Sequence, residues 1–157
     1  VPELKAFEIP IYLNADISGN INNINVKSLI INSDSDRIKV LLKGKYEKDS
    51  ANINYNIERL ELKATATEIA RITSNITSLK PDIKSKITSC GSVSMKGSVK
   101  GTNKEIGYIG DLSTDLGSIN LNAGAKLNKE RNIVDLTGII KTAGFSLGKL
   151  LSKTAII

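Results

Sequence analysis

Few residues of this 157-residue chain could do chemistry, and their spacing argues against it. The segment Gly144-Phe145-Ser146-Leu147-Gly148-Lys149-Leu150 has the glycines and lysine of a phosphate-binding loop. It holds one residue too few between the glycines, and Leu150 stands where a hydroxyl should reach a metal. A capped helix end explains it better. Asp34-Ser35-Asp36 starts like a calcium loop but lacks the later carboxylates and the terminal Glu, so it reads as a solvated turn. Asp111 and Asp115 bracket a strand end with no base or metal cluster to work with, and Asn75-Ile76-Thr77 is a glycosylation acceptor by letter only. The chain has no histidine, so it lacks the commonest general base and metal ligand, and no serine has an activating partner. Cys90, the single cysteine, cannot form an internal disulfide. With Ser89 and Gly91 beside it and no adjoining cation, it is expected to be a small buried residue rather than a reactive thiol. No catalytic residue, metal site or cofactor is expected, and the chain is not expected to be an enzyme.

What remains is apolar surface and the elements that must carry it. The composition is 40% hydrophobic but only 4% aromatic, with no Trp, so the apolar content is Ile, Leu, Val and Ala. Such residues favour pleated, half-buried surfaces. The net charge of +6 (pI near 9.4) comes mostly from lysines at outward strand positions such as Lys39, Lys43, Lys45, Lys96, Lys100 and Lys126. Scattered lysines solvate a sheet and protect its edges. No basic stripe interleaved with aromatics is present, so no nucleic-acid partner is expected.

Alternation runs through the chain. In Ile119, Leu121, Ala123, Ala125 and Leu127 every second residue is apolar, with Asn120, Asn122, Gly124 and Lys126 between them. This is a strand with one apolar and one wet face. After the polar turn Asn128 to Asn132, Val134, Leu136, Gly138 and Ile140 resume the pattern. Earlier runs are Ile9 to Ile21, with Pro10 suiting an edge; Ile24, Val26, Ser28 and Ile30, blurred by Leu29 and Ile31; Ile38 to Tyr46; and Ile53, Tyr55 and Ile57. At Glu58-Arg59 the parity slips, and a bulge or break would restore the apolar face for Leu60, Leu62 and Ala64. Later strands hold Val93 to Gly101 and Ile106 to Leu112. Ile69, Ile72, Ile76 and Leu79 have helical spacing, with Thr67 as cap and Pro81 as stop. A second helical turn is expected over residues 145–151.

The chain repeats. Ile38 to Leu42 aligns with Ile119 to Ala123, Leu62 to Ile72 with Ile140 to Leu150, and Ile17-Ser18-Gly19 with Val99-Lys100-Gly101. The offset of about 80 residues predicts two pseudo-repeats, 9–79 and 87–157, each of four or five strands and a helical cap. Val1 without a Met and the apolar Ala155-Ile156-Ile157 suggest a piece of a longer chain. The apolar face itself has two readings. Two sheets could close on it as a sandwich core. Alternatively the sheet curls into an open groove, which the many small residues on that face favour: Ala15, Gly19, Ser28, Gly44, Ala64, Gly97, Gly101, Ala123, Ala125 and Gly138. The residues alone leave both open.

The string Thr114-Asp115-Leu116-Gly117-Ser118-Ile119-Asn120-Leu121-Asn122-Ala123-Gly124-Ala125-Lys126-Leu127-Asn128, a second amphipathic strand, then Phe145 to Leu151, resembles the TamB (translocation and assembly module) and AsmA-like repeating β-groove family, in its Bacteroidota form. Val93 to Gly101 resembles that family's strand ending in Lys-Gly. The resemblance covers residues 60–157, and 9–59 by pattern only. It implies an all-β chain of tandem antiparallel amphipathic repeats curled into a β-taco-like groove. It also implies a segment of an envelope-spanning lipid conduit that supports outer-membrane biogenesis, lying in the periplasm within a chain anchored in the inner membrane. The implied partners are phospholipid acyl chains and, through the rest of the chain, an outer-membrane barrel protein; the strand edges could also pair fragment to fragment. The lining would be Leu13, Ile17, Ile24, Val26, Val40, Leu42, Tyr55, Val93, Val99, Tyr108, Leu121 and Leu136. The alternative is a closed β-sandwich acting as a structural or adhesive module of a surface or secreted protein.

Overall fold

The computed structural model describes residues 10–34, 37–76, 80–128 and 133–151. Eight strands follow one another as β1 (Ile11–Asn20), β2 (Asn23–Ser33), β3 (Ile38–Asp49), β4 (Asn52–Thr65), β5 (Ser92–Thr102), β6 (Glu105–Thr114), β7 (Gly117–Asn128) and β8 (Ile133–Ala143). Each pairs antiparallel with the next, so the sheet is an open meander whose spatial order is its chain order. The all-β expectation holds. The sandwich does not form: all eight strands belong to one sheet, with no second sheet facing it among the described residues. The architecture is repeat-like, with four strands and two helices, then four strands and one helix.

Local chemistry closes the hairpins. Asn20 Oδ1 accepts from the backbone N–H of Asn22 and Asn23 (2.9 and 3.1 Å). Thr102 Oγ1 does the same for Lys104 and Glu105, and Thr114 Oγ1 for Leu116. A short polar side chain ending a strand thus mimics a turn's backbone bond. Gly117 sits at φ +128°, which a side chain would resist.

Two bulges interrupt the ladder. Ile17 pairs with Val26 and Asp16 with Ser28, so Lys27 is an extra residue in β2. Gly44 pairs with Ile57 and Lys43 with Arg59, which makes Glu58 extra in β4. The second is the parity slip legible at Glu58-Arg59. The first corrects the β2 expectation. Beyond Val26 the apolar face is carried by Leu29 and Ile31, while Ser28 and Ile30 stand opposite Asp16 and Asn14 on the wet face. Each bulge puts two successive side chains outward, which lets an unbroken apolar face continue past it.

The helices sit at one end of the sheet. Helix α1 (Ala66–Ile76) starts one residue before the expected cap, and Thr65 Oγ1 accepts from the Glu68 N–H at 3.2 Å. Thr65, rather than Thr67, is therefore the N-cap. Leu79, the last residue of the expected helical stripe, and Thr77 lie outside the described residues, as do Ile9 and 35–36 of the turn after β2 and 129–132 of the turn after β7. Pro81 does not merely stop a helix. It opens a second one, α2 (Pro81–Thr88), where its missing N–H costs nothing. Helix α3 (Leu147–Leu151) matches the expected turn. This end holds the tightest packing: Ala66, Ala70, Ile38, Ala64 and Leu116 are buried, and Ser33 Oγ accepts from the Ile38 N–H at 2.8 Å. Cys90 is half-buried in the turn before β5, and burial raises its thiol pKa.

Candidate functional site

Register assigns every strand residue to a face. Leu13, Ile31, Val40, Leu62, Met95, Leu112, Ile119 and Thr142 share one face, because paired residues point the same way and alternate residues repeat it. All the lining residues named from the sequence fall on this face: Leu13 and Ile17 in β1, Ile24 and Val26 in β2, Val40 and Leu42 in β3, Tyr55 in β4, Val93 and Val99 in β5, Tyr108 in β6, Leu121 in β7 and Leu136 in β8. The face also includes Leu29 and Ile31. The signal for them was present: Val26 and Leu29 are three apart, the spacing a bulge produces.

The face is uncovered. Leu136 is 78% exposed on β8 and Leu13 66% on β1, and among the described residues no large side chain is fully buried. Most of the inner strands' lining is half-buried and Val99 is buried, each side chain shielded by its cross-strand neighbours, and among the described residues no second sheet lies above it. Completely burying a Leu, Ile or Val contributes about 1.5–3 kcal/mol, so much of that gain is unrealised here. A contiguous exposed apolar face is a candidate interaction surface.

The sheet is crimped toward this face. A Cβ placed on Gly97 would stand 2.9 Å from the Gly110 Cα, one on Gly44 2.7 Å from the Ile57 Cα, and one on Gly138 2.8 Å from the Ala123 Cα. In a flat pair, opposing Cβ atoms are about 4.5–5.5 Å apart, whereas the Cβ on Gly138 would stand 2.9 Å from the Ala123 Cβ. On the wet face, by contrast, added Cβ atoms at Gly107 and Gly124 would meet nothing nearer than 3.8 and 3.5 Å. The small residues on the apolar face therefore let neighbouring strands close toward one another there. Tyr108 lies over the Gly97–Gly110 pair, its hydroxyl 3.3 Å from the carbonyl oxygens of both Lys96 and Asp111. Burial, with the Asp111 charge second, raises the Tyr108 pKa.

The wet face is hollow too. A trench of about 730 Å³ spans β3 to β8 at the end away from the helices, lined by Lys45, Lys100 and Lys126 and by Glu47, Glu105 and Asp135. A twisted sheet is saddle-shaped, which makes both faces concave along different diagonals. The hollow on the apolar face at that end is smaller, about 270 Å³, between Tyr55, Ile106, Ala125, Leu127 and Val134. Sequence reasoning missed the polar trench, because its members come from six strands and no single run displays them. Ion pairs brace the bulges on this side: Lys43–Glu58 at 3.2 Å and Lys27–Asp16 at 3.9 Å. Glu61 accepts from Arg59 Nε at 2.8 Å, and that bond leads the effects that hold its carboxyl below the usual range.

Among the described residues no three His, Cys, Asp or Glu side chains are grouped so as to hold a metal, and no helix is long and apolar enough to cross a membrane. No family model matches the chain, and neither do any of the curated proteins or solved structures compared with it.

Proposed function

We propose that this chain is a segment of a lipid-conducting β-groove. One observation carries the reading: an eight-stranded apolar face of Ile, Leu, Val and Ala side chains, crimped by glycines, with no second layer over it among the described residues. Acyl chains would lie along that face while head groups remain in water. Each methylene removed from water contributes about 0.8 kcal/mol. Ala123 and Ala125 keep the lining low between β6 and β8, while Gly97 and Gly110 lie under Tyr108 and let the strands close toward the groove. The process is passive binding and sliding, with no bond made or broken.

The resemblance to TamB and AsmA-like proteins supplies the setting we propose: a periplasmic stretch of a longer, inner-membrane-anchored chain that serves outer-membrane biogenesis together with a barrel protein. A photoreactive residue at Leu42 or Leu121, both on the apolar face, should crosslink to phospholipid in cells. The same residue at Lys43 or Asn120, on the wet face, should not. Equal labelling at all four sites would return the chain to a structural or adhesive module.

A further inference from the structure

Among the described residues nothing pairs with the outer side of β1 or of β8, the two edges of the sheet. Their backbone groups have a definite sense. The Asp34 N–H donates to the Pro10 carbonyl directly opposite at 2.9 Å, so even-numbered residues of β1 bond inward to β2. The odd ones, Ile11 to Ile17, then aim N–H and C=O outward. Likewise the Leu127 N–H donates to the Lys104 carbonyl opposite it at 2.8 Å. Odd residues of β7 therefore bond to β6, and even ones to their β8 partners Asp135, Thr137, Ile139 and Lys141. This leaves Val134, Leu136, Gly138 and Ile140 of β8 aimed outward. On both edges the outward-bonding residues are the apolar-face residues, as an even number of strands requires. An antiparallel union of the two edges would satisfy both ladders and keep the faces continuous.

The junction inside the chain supplies the register. β4 ends the first four strands and β5 begins the second, with Leu60 opposite Gly97 and Leu62 opposite Met95. Carried through the register, Leu60 and Leu62 correspond to Gly138 and Ile140, which oppose Ala123 and Leu121 as the former oppose Leu42 and Val40. Gly97 and Met95 correspond in the same way to Leu13 and Ile11. The transposed junction sets Gly138 opposite Leu13 and Leu136 opposite Ala15, small against large. On the other face it sets Ile139 opposite Tyr12, two large side chains 60% and 62% exposed. Asp135 meets Asp16 there, each with a lysine beside it: Lys126 is the cross-strand partner of Asp135, and Lys27 lies 3.9 Å from Asp16. Pro10 does not obstruct, since its missing N–H would have pointed toward β2.

We propose that copies of this chain join head to tail, β8 of one pairing antiparallel with β1 of the next, Gly138 opposite Leu13. Such a contact is heterologous, so each copy added leaves one β1 and one β8 free and the assembly has no fixed size. Few of the usual edge protections oppose it: β8 has one lysine and no proline. The proposal does not depend on lipid binding, and either can fail alone.

The test uses the full 157-residue chain with Cys90→Ser. Tyr12 and Ile139 would form a non-hydrogen-bonded pair with Cα atoms about 4.5 Å apart, within disulfide range. Mixing Tyr12→Cys chains with Ile139→Cys chains under mild oxidation should give the disulfide dimer. Tyr12→Cys with Thr137→Cys, two residues out of register, should give at least tenfold less. Leu136→Pro removes only an outward N–H and should return a concentration-dependent assembly to monomer in sedimentation, with far-ultraviolet circular dichroism unchanged. Leu13→Pro asks the same of the other edge should the first variant misfold. A wild-type chain that remains monomeric at millimolar concentration, or Ile139→Cys chains that crosslink to each other in preference to Tyr12→Cys chains, would overturn the proposal.

Discussion

The first four strands and the last four curve the same sheet by different means. β1 to β4 carry the register shifts, at Lys27 in β2 and Glu58 in β4, where an extra residue bends the strand and both outward side chains are solvated. β5 to β8 pair without a single shift. Their apolar face instead carries Gly97, Gly101, Gly110 and Gly138, where neighbouring atoms leave no room for a Cβ; in the first half such crowding is found at Gly44, beside the Glu58 bulge, and at Gly19, by the β1–β2 turn. A bulge bends a sheet by lengthening its outer surface; a glycine bends it by emptying the inner one. The consequence is a lining of large side chains over the first half, Leu29, Ile31, Leu42, Leu60 and Leu62, and over the second a mixed one in which glycines and alanines alternate with larger residues and Tyr108 lies over the Gly97–Gly110 pair.

Deletions should separate the halves most widely. Removing Glu58 takes out the extra residue of β4, so alternation stays in phase and the apolar face survives; the cost should be about 1–2 kcal/mol, within the range of ordinary single changes. Removing Ser98 from β5, a strand in unbroken register with β6 and set opposite the Glu58-Arg59 bulge of β4, takes out no extra residue; it turns Val99 and Gly101 to the wet face and brings Lys100 and Thr102 inward. That variant should not fold cooperatively in urea, and equal tolerance of the two deletions would dissolve the distinction.

A smaller effect comes from glycines on opposite faces of the second half. Gly97→Val must displace the backbone around Ile109 and Gly110 and should destabilise by about 3 kcal/mol, the upper end of overpacking. Gly124→Val, with 3.5 Å of clearance to the Ile106 carbonyl, should stay within about 1 kcal/mol of the parent in urea denaturation.

The smallest effect is expected at Tyr108. Tyr108→Phe loses a hydroxyl held 3.3 Å from two carbonyls and should cost about 0.5–1.5 kcal/mol at neutral pH. The folded protein holds the Tyr108 pKa above its usual value, so it favours the neutral phenol. That stability is complete below the unfolded-state pKa near 10 and drains away as pH rises through the folded value. Urea midpoints of parent and variant should therefore converge above pH 10, and a gap that widened there would reverse the assignment.

Much of the sheet was legible because a strand's two faces are set by its own alternate residues. The run Ile119 to Leu127 announces β7, and the slip at Glu58-Arg59 announces a bulge. The equivalent slip at Lys27-Ser28 was obscured because Leu29, Ile30 and Ile31 are all apolar, so two phases fit equally well and only the pairing of Ser28 with Asp16 selects one. Pro81 was ambiguous for another reason. A proline ends one helix and starts the next with the same fixed φ, and the helix-forming run Asp82 to Thr88 makes this one a start.

Outside the second half of β2, the sequence by itself determined the strands, their wet and apolar sides, and the small residues on the apolar side, because i and i+2 neighbours are enough to fix those wherever apolar and polar residues alternate cleanly. Whether a second layer would cover that side, and which six strands would bring Lys45, Lys100 and Asp135 to one trench, were decided only by the tertiary structure. Coverage and concavity depend on how far a sheet twists and where its edges fall, and these are properties of all eight strands together.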